Sequence, residues 1–313
     1  MSGKDAATRH QLLEDLLKVL RLERIELDLF RGESRDIGSP QVFGGQVLGQ
    51  ALMAANGTVE GRVVHSIHAY FLRRGDVNAP IVYEVDRARD GNHFSTRRVV
   101  AIQHGAQIFN MGASFQHLES GLDHRLDMPD VPPPESLLDL GEAYREAAPR
   151  LPARVRRLLE RPGPFEFRPV EIFDGPPRTG GAPRRHMWFR AGAPLPDDEA
   201  LHRALLAYVS DFHLLGTALV PHGLTYATPD LVMASIDHAM WFHRPVRVDE
   251  WLLYATDSPS ASQARGFARG SVFTRDGILV ASTAQEGLMR FAGVGAGPGV
   301  VATQPPPGPK GTA

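Results

Sequence analysis

The densest chemistry in the chain lies in MASIDHAMWFHRPVR, Met233 to Arg247, where Ser235, Asp237, His238 and His243 stand close together. Such a set could be a Ser-His-Asp hydrolase, a metal site, or a strand carrying one working group. The alternation of the stretch predicts a strand. Ser235, Asp237, Ala239, Trp241 and His243 then share one face, and Ile236, His238, Met240 and Phe242 the other. On that strand Ser235 and His238 point apart. Ser235 and His243 share a face but lie roughly 26 Å apart at about 3.3 Å per residue. A local triad is thereby excluded, and no G-x-S-x-G elbow exists to serve a triad with a distant histidine. His65 and His68, like His238 and His243, have odd spacings that place them on opposite strand faces, which does not suit metal ligation. These histidines read as hydrogen-bonded core or edge residues, and Asp237 as structural, with Arg244 as its candidate partner. The chain has no cysteine, which excludes thiol nucleophiles, disulfides and Cys-based zinc sites.

Two isolated polar residues carry more. A helix is predicted from Asp197 to Leu219, and on it Asp211 shares a stripe with Ala204, Ala207, Leu215 and Ala218. A carboxylate on a small, apolar stripe is partly buried and needs partners, unless it only reaches the edge and meets solvent. Gln285, in ASTAQEGLM, interrupts a strand that otherwise reads apolar. Taken alone it is an ordinary edge-strand residue, as Ser235 is.

The elements that must position these groups recur along the chain. Residues 7–22 carry leucines at helical spacing, and RIELDLF alternates like a strand. FGGQVLGQALMAANGTV reads as a helix opened by Gly44 and Gly45, with a small interior (Gly49, Ala51, Ala54, Ala55) that lets neighbours approach closely. VVHSIHAYFL, IVYEVDRARD, FSTRRVVAIQ and QIFNMGASFQ follow as strands of an antiparallel sheet. After a Pro/Gly-rich stretch the order repeats, with the helix around Asp211 and then LVMASIDHAMWF, EWLLYATDS, ARGFARGSVFT and LVASTAQEGLM. Phe71, Arg73, Val77, Tyr83 and Asp86 match Phe242, Arg244, Val248, Tyr254 and Asp257 at a constant separation of 171 residues, and Arg97 and Gly105 match Arg269 and Gly277 at 172. The fold class is therefore α+β, a helix-and-sheet unit in duplicate. The expected divisions are 10–117 for the first unit, 118–190 for a crossing linker, 191–292 for the second, and 293–313 for a disordered tail. Ligand sites favour the interface of such a pair.

With 313 residues, 42% apolar content and a net charge of −2, the chain can bury a sizeable core, and nothing points to a nucleic acid or an anionic membrane as partner. No stretch approaches the length of a membrane span. The start lacks a secretory signal, and KGTA is not a peroxisomal address, so a cytoplasmic protein is expected. GVGAGPG has no helix after it and is not a dinucleotide loop. The helix bearing Arg150, Arg154, Arg156, Arg157 and Arg161 reads as a solvated face or, more sharply, as a phosphate contact, and Arg73, Arg74, Arg97 and Arg98 are similar candidates.

Taken together, VFGGQVLGQAL, ARDGNHFSTRRVVAIQ, FRPVE, LLAYVSDFHLLGTALVPHG, SIDHAMWFHRP, EWLLY, SASQARGF and LVASTAQEGLMR resemble the type II acyl-CoA thioesterases, the TesB-like family, over about residues 10–290. The resemblance implies a double hotdog, in which two tandem units each wrap a long helix in an antiparallel sheet. It implies hydrolysis of acyl-CoA to free acid and CoA, with no metal, no cofactor and no covalent intermediate. The family orients its water with an Asp, a Thr or Ser, and a Gln. These fall on Asp211, Ser235 and Gln285, and the Ser is a mild departure from relatives that carry Thr. Gly44 and Gly45 are candidate substrate-binding residues through their backbone N–H groups. A homodimer or homotetramer is expected. The rival readings are a hotdog hydratase or dehydratase, which calls for an Asp/His pair on the site face, and a non-catalytic acyl-CoA-binding protein.

Overall fold

Glycine sets the centre of the molecule. In the computed structural model, which describes residues 3–147, 162–171, 179–226 and 228–293, helix α2 (Gly44–Asn56) packs antiparallel against helix α4 (Glu199–Ser210). A methyl on Gly45 would fall 2.2 Å from the carbonyl oxygen of Tyr208, and one on Gly49 3.2 Å from that of Ala204. The small positions of α2 thus admit the second helix of the pair, not only the sheet. Helices so close must start and stop beside each other, and the first turn of α2 lies against the last turn of α4.

Helix α1 (Gly3–Leu20) covers this pair, burying Leu13, Leu16 and Leu20. RIELDLF is not one strand. It folds back at Asp28, which takes a left-handed φ of 59°, into the hairpin β1 (Glu23–Glu26) and β2 (Leu29–Gly32). After α2 come β3 (Val63–Phe71), β4 (Ile81–Asp90), β5 (Phe94–Gln103) and β6 (Ala106–Gln116). The second half supplies α3 (Leu140–Ala147), β7 (Phe165–Pro169), β8 (Arg184–Ala191), α4, β9 (Leu231–Ser235), β10 (Asp237–Phe242), β11 (Leu252–Ser262), β12 (Arg265–Thr274) and β13 (Leu279–Phe291).

All strand pairs are antiparallel, and the sheet order is β1-β2-β4-β5-β6-β3-β10-β13-β12-β11-β8-β7, with β9 also paired to β13. The order β4-β5-β6-β3 mirrors β11-β12-β13-β10, so the two units meet through β3 and β10. This is a double hotdog. The residues at the repeat separation occupy matching places. Tyr83 on β4 and Tyr254 on β11 are both buried, and Gly105 and Gly277 both take left-handed φ values in the hairpin turns.

Two expectations are corrected. The span 118–190 is more than a linker, because β7 and β8 within it extend the second unit's sheet. Phe165 and Phe189 bury their rings there, and Trp188 Nε1 donates to the carbonyl of Pro132 at 2.9 Å, tying the proline run to the sheet. The predicted helix 197–219 also breaks. Helix α4 ends at Ser210, Asp211 is its C-cap, His213 takes a left-handed φ of 66°, and a 3-10 turn resumes at Leu215–Leu219. The Arg-rich stretch 150–161 and the tail after residue 293 lie outside the described residues.

Candidate active site

Asp211 stands where the two helices meet. It caps the C-terminus of α4 and faces the first residue of α2, since a methyl on Gly44 would fall 2.8 Å from Asp211 Oδ2 and 3.0 Å from the ring of Phe71. Phe43, the N-cap of α2, makes no side-chain cap bond, and its ring packs edge-on against Tyr208 and tilted against Phe212. The N–H groups of Gly44 and Gly45, in the first turn of α2, have no intrahelical acceptors. Two helix ends of opposite polarity therefore converge on one carboxylate.

Gln285 reaches the same carboxylate from β13. Its Nε2 donates to Asp211 Oδ1 at 2.7 Å and lies 3.1 Å from Ser235 Oγ. Ser235 Oγ in turn donates to Asp211 Oδ1 across a longer 3.4 Å. The structure thus brings Asp211, Ser235 and Gln285 into one cluster. Gln285 is fully buried, whereas Asp211 and Ser235 are half-buried. Oδ1 is occupied and Oδ2 is left facing Gly44. Gln285 Oε1 is buried without a partner, at a cost of about 1–3 kcal/mol. The amide is held this way because a carboxylate accepts and cannot donate, so the NH2 must face Asp211.

His238 joins the cluster, contrary to the alternation expected for residues 235–243. Ser235 pairs with Gly287 but Ala239 pairs with Ala284, so three residues of the β9–β10 segment oppose two of β13. This β-bulge at Ile236 shifts the register by one and re-aims the side chains that follow. Ser235 and His238 consequently face the same interior. His238 Nδ1 lies 3.2 Å from Gln285 Nε2, and its Nε2 lies 3.0 Å from Ser210 Oγ. Burial pushes the imidazole below its usual pKa, against the pull of the Asp211 carboxylate, so the ring is neutral. The sequence did hold a signal for this, because His238 is the one polar residue in the row Ile236, Met240, Phe242, and buried polar groups need partners.

The other candidates fall elsewhere. Asp237 does not pair with Arg244. It accepts from the Glu286 backbone N–H at 2.6 Å, while Arg244 binds Asp123 and the carbonyl of Leu279. His65 bonds Ser114, and His243 bonds Ser282. Arg97 is buried and committed to Thr58, Asp90 and the carbonyls of Arg89 and Thr96, which removes it as a substrate contact. Arg73, Arg74 and Arg98 are exposed. Among the described residues no group of His, Asp and Glu is arranged to hold a metal, and no helix is long and apolar enough to cross a membrane.

Known proteins share this architecture. A family profile described as acyl-CoA thioesterase matches residues 168–288, and one described as the acyl-CoA thioesterase N-terminal domain matches residues 31–116. The chain is 42% identical over 282 residues to acyl-CoA thioesterase 2 of Haemophilus influenzae, covering 90% of this chain and 99% of that protein. It is 41% identical over 281 residues to human acyl-coenzyme A thioesterase 8, covering 87% and 88%. An acyl-CoA thioesterase II from Mycobacterium marinum superposes with a TM-score of 0.73 at 43% identity, covering 89% of this chain and 99% of that one. A protein of unknown function with a hot dog fold from Alicyclobacillus acidocaldarius shares the fold alone, with a TM-score of 0.70 at 19% identity over 88% of this chain and 98% of that one.

Proposed function

Because the chain belongs to the acyl-CoA thioesterase family, we propose that it hydrolyses fatty acyl-CoA to the free acid and CoA by direct attack of a water that Asp211, Ser235 and Gln285 orient. The observation that supports this most is the bonding at Asp211. Gln285 and Ser235 both engage Oδ1, which leaves Oδ2 to take the water's proton. A thioester carbonyl is electrophilic enough for a well-placed water, and the carboxylate acts as general base. The water oxygen bonds to the carbonyl carbon, the C–S bond breaks, and the proton held at Oδ2 passes to the departing sulfur.

Negative charge develops on the carbonyl oxygen during attack. The N–H groups of Gly44 and Gly45, which lack intrahelical acceptors at the helix start beside Asp211, are suited to receive it. Arg73 and Arg74 follow Phe71, which lies against Gly44, and Val42 donates to the carbonyl of Gly75 at 3.0 Å. Both are exposed, with Arg73 Nη1 donating to the carbonyl of Gln107 at 2.6 Å, and both stay candidates for the phosphates of CoA.

A hydratase would need a histidine nitrogen open to substrate. His238 has both nitrogens engaged and no exposure, which disfavours that reading. The test is CoA thiol release from a panel of short to long acyl-CoAs by wild type and by Asp211→Asn. Wild type is expected to turn over part of the panel, and the folded variant to lose at least about a hundredfold in kcat. Binding without release by wild type would instead indicate an acyl-CoA-binding protein, and equal rates in the two would remove Asp211 as the base.

A further inference from the structure

The Gln285 NH2 group has two hydrogens and three acceptors within reach, at Asp211, Ser235 and His238. Its own oxygen has none. Besides the Asp211 carboxylate, the imidazole of His238 meets the same NH2 group, at 3.2 Å. We propose that His238 is a positioning residue for hydrolysis, a fixed acceptor that orients the Gln285 amide toward Asp211. This rests on the reading of Asp211, Ser235 and Gln285 as the hydrolytic site.

The tautomer follows from the partners. Ser210 Oγ donates to the carbonyl of Ala207 at 2.9 Å, so it has only lone pairs to offer the imidazole. His238 Nε2 must then carry the hydrogen and donate to Ser210. Its Nδ1 is left as an acceptor, and among the described residues the N–H it meets is that of Gln285. The bonds form a closed circuit. They run from the last turn of α4 through Ser210, His238 and Gln285 to Asp211, the residue that follows Ser210. Ser210, His238 and Gln285 are all buried, so no solvent competes for these bonds. The opposite tautomer would set one N–H against another and turn the amide away from the carboxylate. The bulge at Ile236 makes the circuit possible, because without it His238 would face the outside of the sheet.

His238→Asn and His238→Gln separate positioning from packing. Asn places its amide oxygen near the site of Nδ1 and can keep the bond to Gln285. Gln reaches the site of Nε2 and keeps Ser210, but offers Gln285 nothing. A purely structural histidine would be replaced at least as well by the larger Gln. Steady-state hydrolysis is measured for both variants, alone and combined with Gln285→Ala, with thermal unfolding of each and rates per folded enzyme. For a positioning role, His238→Asn keeps kcat within about threefold of wild type and His238→Gln loses about tenfold, with KM little changed in either. With Gln285→Ala in place the Asn and Gln variants become equal. Equal single variants, or a difference that persists without Gln285, would overturn the inference and leave the hydrolytic site standing. A Gln285→Ala enzyme with unchanged kcat would overturn both. Should His238→Gln not fold, His238→Asn decides alone, with retention within about threefold expected and a tenfold loss against the proposal.

Discussion

At Ser235 one hydroxyl touches both other members of the cluster, but loosely, at 3.4 Å to Asp211 and 3.1 Å to Gln285. Long bonds of this kind tolerate small adjustments. Ser235 is half-buried, so an added methyl has somewhere to go. Ser235→Thr is therefore expected to keep kcat within about tenfold, since repacking of one methyl costs little more than about 1 kcal/mol. A loss beyond a hundredfold in acyl-CoA hydrolysis would mean that the serine hydroxyl sits in a geometry threonine cannot reach.

The helices set a sharper constraint. Gly44 and Gly49 lie on the same helix, and both would tolerate alanine on propensity grounds. Their surroundings differ. The methyl of Gly49→Ala would meet Leu20 Cδ2 on α1 at 3.1 Å and the carbonyl of Ala204 on α4 at 3.2 Å, contacts between helices away from Asp211. That of Gly44→Ala would meet Asp211 Oδ2 at 2.8 Å, the oxygen assigned to the water's proton. The carboxylate is the free end of a side chain and can swing aside, so the protein should fold. Gly44→Ala is expected to keep its melting temperature within a few degrees, since about 1 kcal/mol shifts it by roughly 2–4 °C in a chain of this size, and to lose at least about tenfold in kcat. Gly49→Ala should leave kcat within about twofold, because its contacts stay away from the reacting atoms. Paired kinetics and thermal melts decide, and full activity in Gly44→Ala would remove the α2 start from the mechanism.

Across the whole molecule, the neutral histidines tie stability to pH. Burial pushes His213 down to about 4 and holds His238 below its usual value. In the unfolded chain both take up a proton near pH 6.5. For His213 the unfolded state binds more protons between that pH and about 4, so its contribution is intact above pH 6.5 and is lost as pH falls toward 4, and that of His238 is likewise lost as pH falls below 6.5. His213 also takes a left-handed φ that asparagine accepts readily. His213→Asn is therefore expected to fold and to flatten the fall in stability from pH 6.5 to about 4 by up to about 1.4 kcal/mol per pH unit. Denaturant unfolding at several pH values measures this, and an unchanged slope would show that His213 is not the titrating group.

The duplicated unit was legible in the chain because residues at a 171-residue separation must satisfy the same packing twice, as the buried Tyr83 and Tyr254 do. Asp211 was legible because it breaks a small, apolar stripe, and a polar side chain on a buried face must be bonded, whereas Gln285, taken alone, read as an ordinary edge-strand residue. Ser235 was not legible from pattern at all and came only through its family resemblance. The role of His238 and the end of α4 at Asp211 were hidden for a shared reason. Period-2 and period-3.6 readings assume that a strand or helix continues unbroken. The bulge at Ile236 exists because β10 must pair with β3 and β13 at once, and the break at Asp211 brings the 3-10 turn back over the sheet. Both are settled by contacts between segments far apart in the chain, which no local spacing records.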